Sequence, residues 1–159
     1  MGKEPWEWKE EQEKGIETLK QKVIENAILL IPDNTTPFRV ETNASNFAIG
    51  AILSQPNQQN KWQPVEFISK SLNPAERHYE VYDKEILAIM HAFDEWSHYL
   101  QGAQEQIEVL TDHQNLTYFR KPQNLNRRQA HWVLDLQEYN FIIKHRSGKS
   151  NSKADILSQ

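Results

Sequence analysis

The sequence predicts an α/β fold, a mixed sheet with helices packed on its faces, and three observations carry that reading. Three strand-like runs crowd into residues 38–69. A long stretch after Asn73 then repeats apolar residues every three or four positions, and strand-like and helix-like runs alternate beyond it.

The elements follow in order. Within residues 4–30, Ile16, Leu19, Val23 and Ile24 fall on one helical face among many Glu and Lys, which predicts an amphipathic helix. Trp6 and Trp8 precede that face, and Pro32, Asp33 and Asn34 end the pattern. Residues 38–42 and 47–53 read as two strands joined through Asn43, Ala44, Ser45 and Asn46. A polar turn at 56–60 leads to a third strand over 62–69, with Val65 and Phe67 on one face, so the three form an antiparallel meander. Asn73, Pro74 and Glu76 supply an N-cap, a proline at the first helical position and a glutamate three residues after the cap. From there Tyr79, Tyr82, Ile86, Ile89, Met90, Phe93, Trp96 and Leu100 predict one long helix, stopped by Gly102. A strand over 106–111 closes at Asp112, and 113–119 reads as a short helix before Pro122. Residues 126–138 give a further helix, 141–144 a last strand, 147–151 a loop, and Lys153 opens a final helix.

Composition narrows the function classes. A chain of 159 residues suits one globular domain with a short appendage. It holds no apolar run long enough to cross a bilayer, and its polar, acidic opening has no secretory pattern, so an intracellular, cytoplasmic protein without a membrane partner is expected. The absence of cysteine removes disulfides, thiol nucleophiles and Cys-based zinc sites. Net charge is −4, which alone argues against a nucleic-acid binder. Its distribution says more. Between residues 120 and 153, Arg120, Lys121, Arg127, Arg128, Lys144, Arg146, Lys149 and Lys153 face only Asp135 and Glu138. Such a stretch is either a solvated basic face or a surface that tracks phosphates.

Three acids stand out by position: Glu85 midway along the apolar helix, Asp112 at a strand end, and Asp155 at the start of the last helix. Taken singly, each is what a solvated or capping acid looks like. Their surroundings change that. Residues 42–55 (TNASNFAIGAILSQ), 82–89 (YDKEILAI), 111–116 (TDHQNL), 125–132 (LNRRQAHW) and 148–158 (GKSNSKADILS) resemble, in order, the blocks of ribonuclease H domains from gypsy-type LTR retrotransposon reverse transcriptases. The resemblance covers essentially the whole chain. Its opening is similar to the end of the connection region, which gives residues 1–37 as that appendage and 38–159 as the ribonuclease H domain.

The resemblance implies a ribonuclease H-like fold with a five-stranded mixed sheet, the antiparallel meander plus two further strands, flanked by helices. It also implies a site of four carboxylates holding two Mg²⁺ ions, with Mn²⁺ as a substitute, that hydrolyses the RNA strand of an RNA/DNA hybrid. Phosphodiester hydrolysis needs an activated water and a stabilised leaving oxygen, both of which paired cations supply, and Mg²⁺ prefers hard oxygen ligands. On this mapping Glu85, Asp112 and Asp155 are ligands. Position 43 departs from the pattern, which has Asp there: Asn43 keeps the shape, loses the charge and offers one carbonyl oxygen. Weakened metal binding and a large loss of rate are expected, whether the residue reflects a deliberate substitution or a decayed copy; a site that tolerates Asn is the third reading. His145 corresponds to a loop that in related enzymes assists product release or proton transfer, or is a surface histidine. Tyr82, Gln114, Asn115, Arg127 and Arg128 are candidate hybrid contacts. The implied partners are the hybrid and the remainder of a reverse transcriptase polyprotein, within a virus-like particle; oligomeric state is left open.

Two other classes compete. One is a module that holds hybrid without cutting it, favoured by Asn43 and the basic C-terminal third; the other is a structural domain supporting a polymerase. A zinc site on His91 and His98 fails, since seven residues is two helical turns and no cysteine can complete the set. No Tyr-x-Asp-Asp or Asp-Thr/Ser-Gly run is present, so a polymerase and an aspartic protease are excluded.

Overall fold

β1 (Arg39–Ala44), β2 (Ala48–Pro56) and β3 (Trp62–Ser71) form an antiparallel meander in a computed structural model that describes residues 30–112 and 126–146. The helices expected within 4–30, over 113–119 and from Lys153, the loop at 147–151, and the site candidates Gln114, Asn115 and Asp155 lie outside the described residues. The first turn is tight because Ser45 closes it. Its N–H donates to the Ala48 carbonyl at 2.8 Å, and its hydroxyl accepts from the Ala48 N–H at 3.0 Å. The second turn places Asn60 at φ 64°, a left-handed conformation that asparagine tolerates better than most residues. There Asn57 Oδ1 accepts from Gln59 and Lys61 N–H groups at 2.9 and 3.1 Å.

β4 (Ile107–Thr111) and β5 (Phe141–His145) add to the free edge of β1, each parallel to its neighbour. The sheet order is β3-β2-β1-β4-β5, a five-stranded mixed sheet as expected.

The predicted long helix is divided. α1 (Pro74–Arg77) carries the anticipated capping box: Asn73 accepts from Glu76 N–H at 2.8 Å, and Glu76 accepts from Asn73 N–H at 2.9 Å. The backbone then turns extended at Glu80 (φ −66°, ψ 158°) before α2 (Val81–Glu95), and a second break at Trp96 precedes α3 (Ser97–Leu100). Periodicity hid both breaks because the tertiary partners differ: Tyr79 packs 6.3 Å from Trp132, far along the chain in the helix over Arg127–Leu136, while the Trp96 ring is wholly buried. α4 (Arg127–Leu136) starts at a second capping box, Asn126 with Gln129, and packs on α2.

The core lies between α2 and the sheet. Val40, Ala51, Leu53 and Val109 meet Ile86, Ile89 and Phe93, and the Phe93 ring stands edge-on to Tyr139 and Phe141 at 4.9 and 5.3 Å. Each such aliphatic side chain contributes roughly 1.5–3 kcal/mol by leaving water, and this burial holds α2 fixed across β1 and β2. Before the sheet, Leu30 packs on the same core. Gln55, wholly buried, clamps the incoming chain: its amide donates to the carbonyls of Asp33 and Thr36 at 2.7 and 3.0 Å and accepts from Asp33 N–H at 3.0 Å.

Candidate active site

Three elements converge at one end of the sheet. Asn43, next to last in β1, pairs with Gly50 of β2. β1 and β4 run parallel with Glu41 level with Leu110; the same offset carried forward brings Asn43 level with Asp112, directly after β4. α2 crosses β1 and β2 and delivers Glu85 one turn from its start, only 3% exposed.

Glu85 is an acid under stress. Burial first, and the charge of Asp112 second, push its carboxyl up to about 8, against a lowering bond from the Ala44 backbone N–H. Its Oε2 is buried with no hydrogen-bond partner among the described residues. Leaving such an oxygen unpaired costs on the order of 1–3 kcal/mol, and a buried acid strained in this way marks a candidate functional site. Thr42 Oγ1, next to Asn43 in the chain, is also buried without a partner among the described residues. Those residues gather no group of three or more His, Asp or Glu able to hold a metal. Of the expected ligands, Glu85 and Asp112 stand together as acids, position 43 offers an amide, and Asp155 lies outside the described residues. The donor set is all oxygen, which suits Mg²⁺ or Mn²⁺ and not a soft metal.

His145 is the last residue of β5, level with Thr111, and so belongs to the strand and not to the loop beyond. Its Nε2–H donates to the Asp112 carbonyl at 3.1 Å, which ties the histidine to the backbone of an acid in the site. Tyr82 is half-buried in the first turn of α2, and burial, then the charge of Asp83, raise its hydroxyl above the ordinary tyrosine range. Arg127 stands exposed at the start of α4, while Arg128 pairs with Asp83.

The basic C-terminal third is less free than its sequence suggests. Arg128 pairs with Asp83, Lys144 with Glu108 at 3.5 Å and Arg146 with Glu41 at 2.8 Å. Every one of these acids comes from outside the stretch, so local charge counting missed them. It also missed Asp83 and Lys84, 4% and 5% exposed, which directly precede Glu85 in a run of three buried charges. Lys84 Nζ donates to Asn46 Oδ1 at 3.4 Å, across to the β1–β2 turn. The available signal was the placement of three consecutive charges on a helix that is otherwise apolar where it packs.

With that geometry in place, comparison with known proteins is informative. Residues 33–139 match the family model described as the RNase H-like domain found in reverse transcriptase. The Tf2-3 and Tf2-4 transposon polyproteins of Schizosaccharomyces pombe are each 39% identical over 158 residues, covering 97% of this chain and 12% of each polyprotein. The chain therefore spans about an eighth of the length of these relatives. Among solved structures, it is similar to the foamy viral protease-reverse transcriptase bound to dsDNA, with TM-score 0.61, 17% identity and coverage of 76% of this chain and 25% of that one. It is also similar to LC11-RNase H1 in complex with RNA/DNA hybrid, with TM-score 0.54, 12% identity and coverage of 77% and 93%. Likeness at these identities shows the fold, and the expected ribonuclease H-like architecture is borne out.

Proposed function

Because the chain belongs to the RNase H-like domains found in reverse transcriptase, we propose that it is the gypsy-type ribonuclease H domain of a retrotransposon polyprotein, inactive or strongly impaired at Asn43. In this reading residues 1–37 end the connection region and 38–159 form the domain, which works inside a cytoplasmic virus-like particle. Asn43, Glu85, Asp112 and Asp155 hold two Mg²⁺ ions, Mn²⁺ being a substitute. When bound, such ions supply an activated water and neutralise the charge that develops on the leaving oxygen.

The observation that carries the reading is Glu85: a buried carboxyl group, one of whose oxygens has no partner among the described residues, beside a second acid. Folding tolerates that arrangement where function needs it. The remaining work falls to the chain itself. The β1–β4 pairing fixes the spacing of positions 43 and 112, Ala44 N–H orients the Glu85 carboxyl, and His145 steadies Asp112 through its carbonyl and stands ready to assist proton transfer or product release. Tyr82, Gln114, Asn115, Arg127 and Arg128 contact the hybrid, Arg128 through the part of its side chain, 41% exposed, that Asp83 leaves open.

The missing charge at position 43 favours a second reading, a domain that grips hybrid without cutting it. Cleavage of labelled RNA/DNA hybrid in Mg²⁺ separates the two. The Asn43→Asp chain is expected to cut at least about a hundredfold faster than the chain with Asn43, as for the loss of one directed electrostatic contact in an active site. Comparable rates would refute the impaired site, and absence of cutting by the Asn43→Asp chain would favour the gripping module.

A further inference from the structure

Asp83 is 4% exposed and fully engaged: Arg128 Nη2 donates to Oδ2, and Gln129 Nε2 donates to Oδ1 at 2.8 Å. Two residues along a helix is a rotation of about 200°, so Asp83 faces away from Glu85 and takes no part in the acid cluster. Its partners are consecutive residues in the first turn of α4. The same turn is capped by Asn126 and Gln129, and the Arg128 guanidinium lies 4.0 Å above the Tyr79 ring in the gap between α1 and α2. The first turns of α2 and α4 are thus pinned together by one buried carboxylate. Arg127 opens that pinned turn.

We propose that Asp83 is a positioning residue for hybrid binding: by holding the first turn of α4 against α2, it sets where Arg127 and Arg128 meet the phosphates of an RNA/DNA hybrid. The inference rests on the hybrid-binding reading above. It runs against simple electrostatics, because removing an acid and freeing an arginine strengthens attraction to a polyanion. A brace predicts the reverse.

The test is fluorescence anisotropy with a labelled RNA/DNA hybrid at several salt concentrations, using the full chain and its Asp83→Ala, Asp83→Asn, Arg127→Ala and Asp83→Ala/Arg127→Ala variants. Asp83→Ala is expected to weaken binding on the order of five- to tenfold, and Asp83→Asn, which still accepts from Gln129, by less. Arg127→Ala weakens binding similarly and lowers the salt slope by about one. The double variant loses less than the sum of the two single losses, because Asp83 acts in part through the turn that carries Arg127. Unchanged or tighter binding by Asp83→Ala, or additive losses in the double variant, overturns the assignment while leaving the hybrid reading intact. Failure of the unsubstituted chain to bind hybrid overturns both. Circular dichroism at the assay temperature separates brace from folding defect: Asp83→Ala fully folded there and binding more weakly, with a smaller loss in Asp83→Asn, supports the brace, whereas a loss seen only in a partly unfolded Asp83→Ala, with Asp83→Asn binding as tightly as the unsubstituted chain, counts against it.

Discussion

Asp83 and Glu85 stand two residues apart on one helix, 4% and 3% exposed, and the fold treats them in opposite ways. Asp83 receives an arginine and a glutamine from α4. Glu85 receives one backbone N–H and the repulsion of Asp112, and one of its oxygens has no partner among the described residues. A buried acid whose partners are built into the protein is structural, since the surroundings meet its demand for hydrogen bonds and charge. A buried acid whose demand is left open stores a cost that a bound cation removes. On the proposed reading, a single helix serves as brace on one side and site on the other.

The largest expected contrast is in chemistry. In the Asn43→Asp chain, Glu85→Gln should lower Mg²⁺-dependent hybrid cleavage by roughly a thousandfold at saturating hybrid, whereas Asp83→Asn changes that rate by less than about tenfold. Equal losses would dissolve the distinction between brace and site.

Stability against pH comes next. Glu85 ionises near 4.5 when unfolded and near 8 when folded, so the folded state holds its proton more tightly. The stability this lends is fully present below pH 4.5 and is lost as pH rises through 8, on the order of 4 kcal/mol over the window. Urea unfolding in chelator at pH 5 and pH 8 reads it, and Glu85→Gln should flatten the slope. Asp83→Ala should cost about 1–3 kcal/mol at neutral pH by leaving Gln129 and the half-exposed Arg128 without their acceptor, measured by the same unfolding curves. The smallest effect belongs to the sheet face, where Lys144 meets Glu108 at 3.5 Å with its side chain 54% exposed. Lys144→Ala should move stability by no more than about 0.5 kcal/mol.

How much of this was legible in the sequence varied with the range of the interactions. The meander, both further strands and the capping box at Asn73 were readable, because strand alternation and helix starts are set within a few residues. The breaks at Glu80 and Trp96 were not, since the apolar period continues through them and only packing on α4 and the core reveals the change of direction. Glu85 and Asp112 were found as members of a pattern, and the place of Glu85 on an apolar helix hinted at burial, but that one of its oxygens has no partner among the described residues depends on long-range packing and left no local sign. Asp83 escaped notice for a related reason. Its partner Arg128 lies 45 residues away, and a charge pair at that separation leaves no local trace.

The central claim is that Glu85 is an acid completed by a cation held jointly with position 43. Its most direct test is the unfolding free energy at pH 8 with and without millimolar Mg²⁺, in the chain as it stands, the Asn43→Asp chain, and the Asn43→Asp/Glu85→Gln chain. Mg²⁺ should stabilise the Asn43→Asp chain markedly, the Asn43 chain far less, and the double variant not at all; an equal gain in all three would contradict the account.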